Sequence, residues 1–161
     1  MNDALGIYNL GCTYSDGEES LPQDHAKALE LWHRAAKLGC TESYYNIADA
    51  YENGDGVERD EKKAKYYYEL AAMEGDSYAR FNLGCIELQA GNMNRSFKHW
   101  MISASCGVST SLENIKLLYE RGFATKDDYA NALRSYQAHL HEIRSDQRDE
   151  AAAFKDGYKY Y

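Results

Sequence analysis

Proline and long apolar runs are scarce in this chain. One proline in 161 residues leaves little to interrupt helices, because proline removes a backbone donor and clashes with the preceding turn. Alanine, leucine, glutamate and lysine recur throughout, and all four favour helix. No apolar run approaches the roughly 20 residues that are needed to span a bilayer. These absences predict an all-α protein without a membrane span.

Positive charge is also in deficit. The chain has 18 lysines and arginines against 26 aspartates and glutamates, a formal net charge of -8. Binding to nucleic acid depends on clustered basic side chains, so we expect no nucleic-acid partner and a basic protein or peptide instead. The first residues, "MNDALGIYNLGC", have neither the basic region nor the apolar core of a signal peptide. A cytoplasmic location is therefore predicted.

The sequence has no recognisable metal or catalytic pattern. Its five histidines fit no H-E-x-x-H frame, and its cysteines form no C-x-x-C pair. Free cysteine is among the residues most often buried, so we expect reduced core thiols at Cys12, Cys40, Cys85 and Cys106. The sequence predicts no metal, no cofactor, no catalytic residues and no enzymatic activity.

Two patterns alternate four times along the chain, which is the signature of a repeat array. The first pattern is "YNLGCTY" (8–14), "YNIADAY" (45–51), "FNLGCIE" (81–87) and "ENIKLLY" (113–119). The second is "DHAKALELWHRAAKLG" (24–39), "DEKKAKYYYELAAMEG" (60–75), "NMNRSFKHWMISASCG" (92–107) and "DYANALRSYQAHLHEI" (128–143). Apolar and small residues recur in both patterns at the i, i+3, i+4, i+7 spacing of a helix face.

Each repeat therefore predicts one helix-turn-helix hairpin. Such a hairpin cannot bury its apolar stripe alone, so hairpins stack. We expect an all-α fold, a right-handed α-solenoid of about four helix-turn-helix repeats plus a C-terminal helix, in one domain over residues 1–161. The repeats are placed at about 4–39, 40–75, 76–107 and 108–143, followed by a C-terminal capping helix and tail at 144–161.

Residues at the ends of the second helices have the expected cap chemistry. An Asp or Asn side chain can accept a hydrogen bond from an unpaired amide of the first turn. A glycine just after a helix can adopt the left-handed conformation without a steric penalty. The predicted N-caps are Asp24, Asp60, Asn92 and Asp128, and the predicted terminating glycines are Gly39, Gly75 and Gly107.

The stretch "YENGDGVERDEKKA" (51–64) looks at first like a calcium or phosphate loop. It lacks the closing glutamate of a calcium loop and the G-K-[ST] of a phosphate loop. The equivalent turn is one residue longer in the first repeat and four shorter in the third. We therefore interpret this stretch as a spacer in which Gly54 and Gly56 reverse the chain, Val57 fills the seam and Asp60 caps the next helix.

The motif "NLG-x-x-Y-x-x-G", followed by "D-x-x-K-A" and "A-A-x-x-G", resembles the Sel-1-like repeat, a relative of the tetratricopeptide repeat. The second repeat matches almost throughout, whereas the third has a short turn and carries Glu87 where the others carry Tyr. The fourth has Lys116 at a position for small residues. The resemblance covers about residues 4–143.

This resemblance implies a non-catalytic adaptor that binds a protein or peptide on the concave face of the array. The alternative is the substrate-recognition arm of a ubiquitin ligase or another enzyme complex. Some relatives carry a RING zinc finger, and this sequence has no RING set. A hydrolase like those reported for some secreted relatives is a third option.

First-helix residues off the packing stripe are the candidate binding residues, since in tetratricopeptide-like arrays these helices line the concave surface. Two alternatives stay open for the asparagine that recurs in every repeat: it binds an extended peptide, or it bonds a neighbouring helix and holds the repeats in register. The predicted partner-binding residues are Asn9, Asn46, Asn82, Asn114, Tyr8, Tyr45, Asp49, Phe81 and Glu113.

The two ends of the array are expected to differ. A helix that begins at Ser145, or a longer helix that passes through it, would cover the last repeat, or "GYKYY" (157–161) would dock in a partner. The first helix has no comparable cover. We expect it to pack on another chain or to leave an apolar edge.

Overall fold

The computed structural model describes residues 3–18 and 21–157, with side chains up to residue 147. Over these residues it has eight helices and no strand; one isolated bridge joins Glu18 to Leu21. The helices are α1 (Ala4–Asp16), α2 (His25–Lys37), α3 (Ser43–Asn53), α4 (Glu61–Met73), α5 (Ser77–Gln89), α6 (Met93–Ser105), α7 (Ser109–Glu120) and α8 (Lys126–Gly157). Each repeat contributes one pair, so the predicted all-α class and the helix-turn-helix repeats are confirmed.

Most of the predicted helix ends are confirmed. The Asp24 carboxylate accepts a hydrogen bond from the Lys27 backbone N–H, and the Asp60 carboxylate accepts two, from Lys62 and Lys63. The glycines that follow the second helices have the left-handed backbone that the cap needs, with φ of 94° at Gly39, 96° at Gly75 and 88° at Gly107. In the third repeat Asp76 precedes α5 and accepts a hydrogen bond from the Ala79 N–H, a cap that the repeat pattern did not predict.

Two of the predicted N-cap bonds are not formed as expected. Asn92 is the N-cap residue of α6, but its side chain makes no cap bond, because its amide donates to the Glu87 carboxylate at 2.8 Å. Asp128 lies inside α8, where its carboxylate accepts from the backbone N–H of Thr125 and the Thr125 hydroxyl accepts from the N–H of Asp128. This reciprocal pair is a capping box, so Thr125 is the N-cap of α8.

The chain divides into two compact units, residues 1–86 and 87–161. In the first unit the core is formed by the apolar stripes of α2, α3 and α4 together with Ala79 and Leu83 of α5. Trp32 is 6% exposed and Ile47 and Tyr68 are fully buried, so each contributes about 1.5–3 kcal/mol of burial free energy. Alanines between them let the helices approach closely. The single repeat domain over 1–161 stays a prediction.

The turn of the second repeat is a packed element. Gly54 and Gly56 have φ of 82° and 70°, and Val57 packs against the core, as predicted. A Cβ on Gly56 would lie 2.4 Å from the backbone N of Ala26. The turn therefore touches the start of α2, in the preceding hairpin, and has no room for a larger residue at this point.

In the second unit α6, α7 and α8 pack together around Trp100, Ala104, Ile115 and Leu118, all buried. A Cβ on Gly107 would lie 2.6 Å from the His139 ring, so α8 closes on the end of α6. Helix α8 runs unbroken through Ser145. Residues 144–157 therefore extend the second helix of the fourth repeat and form no separate capping helix. The tail at 158–161 and the side chains beyond 147 lie outside the described residues.

The cysteines only partly follow their prediction. No disulfide joins the four, all of which are described. Cys40 is buried, Cys12 and Cys85 are half-buried, and Cys106 is exposed. The prediction of a core thiol is thus confirmed for Cys40 and wrong for Cys106, which occupies the exposed C-cap of α6.

The surface of α1 is apolar in part. Leu5 is 54% and Leu10 is 46% exposed, which corresponds to the apolar edge expected at this end of the array. Packing of that edge on another chain stays a prediction. Among the described residues, no helix is both long enough and apolar enough to cross a membrane.

Candidate binding cleft

A cleft of about 280 Å³ opens within the first unit, between α1, α2, α3 and the turn that follows α3. We call it the α1–α3 cleft. Its lining is mostly polar, and it combines residues from the first two repeats. The lining residues are Tyr8, Cys12, Ser15, Asp16, His25, Trp32, Asn46, Asp49, Ala50 and Asp55.

Asn46 crosses this cleft from α3 to α1. Its amide nitrogen donates to the Tyr8 hydroxyl at 3.4 Å and to the Cys12 sulfur at 3.6 Å. Burial, followed by the adjacent Cys12 thiol, raises the pKa of Tyr8 to about 12. The phenol therefore stays neutral at physiological pH and serves as a hydrogen-bonding group at the wall of the cleft.

The equivalent tyrosine of the second repeat is Tyr45. Its ring packs edge-on against Tyr68 at a centroid distance of 5.7 Å. Burial is the main cause that raises the pKa of Tyr45. The Asn82 side chain acts on that pKa in the opposite direction. In both cases an asparagine thus lies near a tyrosine of the preceding repeat, which is the arrangement expected if the asparagines hold the repeats in register.

Three aspartates give the cleft its negative charge. Asp16 ends α1, Asp49 lies in the middle of α3, and Asp55 belongs to the turn of the second repeat. Burial, followed by repulsion from Glu52 and Asp55, raises the pKa of Asp49. Among the described residues, no lysine or arginine lines this cleft.

Trp32 is the one large aromatic ring of α2 in the lining. Gly11 of α1 lies against it, and a Cβ on Gly11 would be 2.7 Å from the indole Cδ1 and Nε1 atoms. A small residue at this position therefore admits the ring. The indole Nε1 is buried and has no hydrogen-bond acceptor in the described part of the chain. A buried donor without an acceptor costs about 1–3 kcal/mol.

The cleft brings together only some of the predicted binding residues. Tyr8, Asn46 and Asp49 line it. Tyr45 on α3 and Asn82 on α5 are half-buried outside it, Asn9 is exposed on α1, and Phe81 is half-buried on α5. In the second unit Glu113 is exposed and Asn114 lines a small apolar cavity of about 60 Å³ with Leu88, Met93, Trp100, Leu117, Leu118, Arg121 and Phe123. A binding role for each of these residues stays a prediction.

Seven lining residues are absent from the predicted binding set: Cys12, Ser15, Asp16, His25, Trp32, Ala50 and Asp55. The helical period places Trp32 on the packing stripe of α2, and the ring is part of the core at 6% exposed. Asp55 was assigned to a spacer, yet this turn also supplies a carboxylate to the cleft. A signal for Trp32 was present in Gly11, because a glycine within a helix marks a place where another group approaches closely.

The cleft is not arranged as a metal centre. Within the described ranges, no three His, Cys, Asp or Glu side chains converge closely enough to hold a metal ion. Its hydroxyl and amide groups are suited to hydrogen bonding, and its carboxylates are suited to attracting a cation.

The helix pairs and their turns match a known family. The model of the Sel1 repeat matches residues 4–40 and 41–76, almost the bounds predicted for the first two repeats. The chain is a Sel1-repeat protein. The matched stretches contain α1 to α4 and thus the whole α1–α3 cleft.

Several relatives of this Sel1-repeat chain are considerably longer proteins. It is 31% identical over 143 residues to a chitin synthase regulator of Saccharomyces cerevisiae, with 83% of this chain and 20% of the relative covered. It is 31% identical over 128 residues to DAP3-binding cell death enhancer 1 of Rattus norvegicus, covering 77% and 25%. It is 29% identical over 98 residues to an ERAD-associated E3 ubiquitin-protein ligase component of Arabidopsis thaliana, covering 60% and 15%. The chain thus spans a quarter or less of these relatives.

Two solved structures share the fold. A Sel1 repeat protein from Oxalobacter formigenes superposes with a TM-score of 0.72 at 23% identity, over 88% of this chain and 59% of that chain. A protective antigen of uropathogenic Escherichia coli with an SLR fold superposes with a TM-score of 0.71 at 28% identity, over 87% and 31%. The chain accordingly belongs to the all-α solenoids built from helix-turn-helix repeats.

Proposed function

We propose that this Sel1-repeat chain is a non-catalytic adaptor that binds a protein or peptide on the concave face formed by its first helices. The single observation that carries the proposal is the α1–α3 cleft. It exposes hydroxyl, amide and carboxylate groups of α1 and α3, while the apolar stripes of α2, α3 and α4 are already buried against one another.

The charge of this surface indicates the kind of partner. Three carboxylates line the cleft without a basic side chain among the described lining residues, and the whole chain carries a net charge of -8. Such a surface attracts a basic polypeptide and repels a phosphate backbone. The proposed partner is therefore a basic protein segment, met in the cytoplasm, and not a nucleic acid.

Site-directed photo-crosslinking tests this proposal. A photoreactive residue at Asn9, exposed on α1, or at Asn53, exposed at the end of α3, is expected to cross-link a partner in cells. The matched control is the same residue at Glu69, which is exposed on the second helix α4. Equal cross-linking from Glu69 and from the two first-helix positions would contradict a first-helix binding face.

A second candidate function is the substrate-recognition arm of a ubiquitin ligase. The observation that favours it is the 29% identity to a plant ubiquitin-protein ligase component. Purification of the tagged chain from its native cells distinguishes the two. A ubiquitin ligase recovered in stoichiometric amount supports the second function, and a stoichiometric partner without any ligase supports the first.

A further inference from the structure

The small cavity of about 60 Å³ in the second unit is built from the same repeat positions as the α1–α3 cleft. We call it the α6–α7 groove. Seven of its eight lining residues stand at positions that also line the cleft in the first unit, among them Trp100 at the position of Trp32 and Asn114 at that of Asn46. The groove and the cleft are therefore one surface feature in different repeats, with different side chains in the lining.

Apolar side chains of the groove replace carboxylates of the cleft. Leu117 stands at the repeat position of Asp49, and Phe123 stands at that of Asp55. Leu117 is 46% and Phe123 is 57% exposed, so both keep much of their apolar surface in contact with solvent. Apolar side chains that are exposed together, unlike scattered single ones, indicate an interaction surface. The lining of the groove therefore favours an apolar group of a ligand.

The size of the groove suits one aliphatic side chain. Pockets for drug-sized molecules measure roughly 300–1,000 Å³, several times the volume of this one. Its walls include the buried ring of Trp100 and the half-buried Met93, and the flexible thioether of a methionine adapts to the shape of its neighbour. The branched end of a leucine fits this space better than an aromatic ring does.

The charge of the groove is opposite to that of the cleft. Among the described lining residues Arg121 is the one charged side chain, and it is exposed. The neighbouring acid, Glu120, pairs with Lys116 at 3.7 Å. Residues 92–126 contain five lysines and arginines against two glutamates, whereas residues 1–86 contain eight against sixteen aspartates and glutamates. The groove thus attracts a carboxylate, which the acidic cleft repels.

We propose that the α6–α7 groove binds an aliphatic side chain of the partner polypeptide that has a carboxylate two residues away. The aliphatic group enters between Leu117, Phe123 and Trp100, and the carboxylate pairs with the Arg121 guanidinium. The spacing is two residues because side chains i and i+2 of an extended peptide lie on one face. The Asn114 amide, which has two donors and an acceptor, bonds the peptide backbone between them. This inference rests on the proposed function, because the occupant is part of a polypeptide partner.

A nuclear magnetic resonance titration of the full chain tests the proposal. The probe is the peptide acetyl-Glu-Ala-Leu-Ala-Glu-amide, which offers a carboxylate on either side of the leucine. The chain has four methionines, whose methyl groups are labelled with ¹³C. Met93 lines the groove, and Met73, which is 78% exposed on α4, is the internal control. We expect the Met93 signal to shift saturably with a dissociation constant in the millimolar range while the Met73 signal stays in place.

Two altered peptides separate the apolar contribution from the charged one. Replacing the leucine by alanine is expected to weaken binding about tenfold, since an apolar pocket loses at least that for each missing methylene. Replacing both glutamates by glutamine is expected to weaken binding about two- to fivefold, as for an exposed ion pair. The Arg121→Gln variant is expected to abolish the preference for glutamate over glutamine and to keep the preference for leucine over alanine.

A variant of the groove makes the test specific. Leu117→Asp introduces the residue that the second repeat has at this position, and it is expected to weaken binding at least about tenfold, because the new carboxylate repels those of the peptide. Ile102→Asp is the matched control, because Ile102 is 45% exposed on α6 and does not line the groove. It is expected to leave the affinity unchanged.

Several results would overturn the proposal. The Met93 signal could stay in place throughout the titration, the alanine peptide could bind as tightly as the leucine peptide, Arg121→Gln could keep the preference for glutamate, or Leu117→Asp could bind as well as Ile102→Asp does. A Met93 signal that shifts with the concentration of the chain alone would show a second copy in the groove and would also overturn it.

Failure of the proposed function has a different signature. A cross-linked partner that binds Leu117→Asp with unchanged affinity overturns only the assignment of the groove. Saturable peptide binding in the groove without any protein partner in cells overturns only the adaptor.

Discussion

The turns of the second and third repeats join equivalent helices in different ways. In the second repeat, the turn after α3 lies against the start of α2 at Gly56. The same turn contributes Val57 to the core and Asp55 to the α1–α3 cleft. Its last residue, Asp60, caps α4. In the third repeat, α5 and α6 are joined by a short turn in which a Cβ on Gly91 would meet nothing within 4 Å. The long turn therefore packs against another hairpin, whereas the short turn has no such packing contact at Gly91.

Glycine substitutions give the largest expected difference between the two turns. Gly56 and Gly91 both have positive φ, 70° and 79°, so alanine at either costs about 1–2 kcal/mol of backbone strain. At Gly56 the added methyl also meets the backbone of α2 at 2.4 Å, and such overpacking adds about 1–3 kcal/mol. In urea unfolding, Gly56→Ala is expected to be the more destabilising. Equal losses of unfolding free energy for the two variants would mean that the long turn does not contact α2.

The two turns also use their cap residues differently. Asp60→Ala removes a cap and is expected to cost about 1 kcal/mol. Asn92→Ala removes no cap bond but deprives the carboxylate of Glu87, only 3% exposed, of an amide donor, which we expect to cost about 2 kcal/mol. Thermal unfolding measures both. In the double variant Asn92→Ala/Glu87→Leu the two losses are expected to be less than additive, and strict additivity would refute the coupling.

Two of the recurring asparagines, Asn46 and Asn114, are expected to differ in their contribution to stability, by less than the turn residues do. Asn46→Ala loses the bonds to Tyr8 and Cys12 and is expected to destabilise the first unit by about 1 kcal/mol. The Asn114 side chain borders a small apolar cavity, so Asn114→Ala is expected to stay within about 0.5 kcal/mol of the parent chain. A cycle of Tyr8→Phe and Asn46→Ala measures the coupling, and no coupling would mean that the 3.4 Å contact contributes nothing.

The smallest expected effect is a pH dependence confined to the first unit. Burial is the main cause that lowers the pKa of His33, which lies edge-on to Tyr51 and Tyr67. The unfolded chain thus takes up a proton at higher pH than the folded chain. Stability therefore falls as the pH drops below about 6.5, until the folded pKa is passed.

Urea unfolding at pH 7 and pH 5 checks this pH dependence. His33→Phe is expected to lose less stability between the two pH values than the parent chain. The control is His141→Gln, at an exposed histidine of α8, which should leave the loss unchanged. An identical loss for His33→Phe and the parent chain would contradict the assignment to His33.

Much of the fold followed from local chemistry. The helices begin after aspartates and end before glycines, at Asp24 and Gly39 and again at Asp60 and Gly75, because caps involve only the nearest turn of backbone. Tyr68 is buried and Tyr66 is 55% exposed, as the helical period predicts. The match of the Sel1 model to residues 4–76 reflects the same regular spacing.

The candidate site was only partly accessible from the sequence. Its Tyr8, Asn46 and Asp49 were found because they recur at one helix position, but the cleft also needs Trp32 from a second helix and Asp55 from a turn. Repetition identifies positions that are equivalent along the chain. It carries no information on which side chains of different elements meet.

The sequence by itself determined the repeat register, the helix class and most helix ends, since these depend on residues within one or two turns of each other. Only the tertiary structure decided that Asn92 turns to Glu87, that Thr125 rather than Asp128 caps α8, and that Asn46 bonds Tyr8. Each of those outcomes is a competition between alternative partners for one polar side chain. Which partner is near enough depends on how the helices and their turns pack in space.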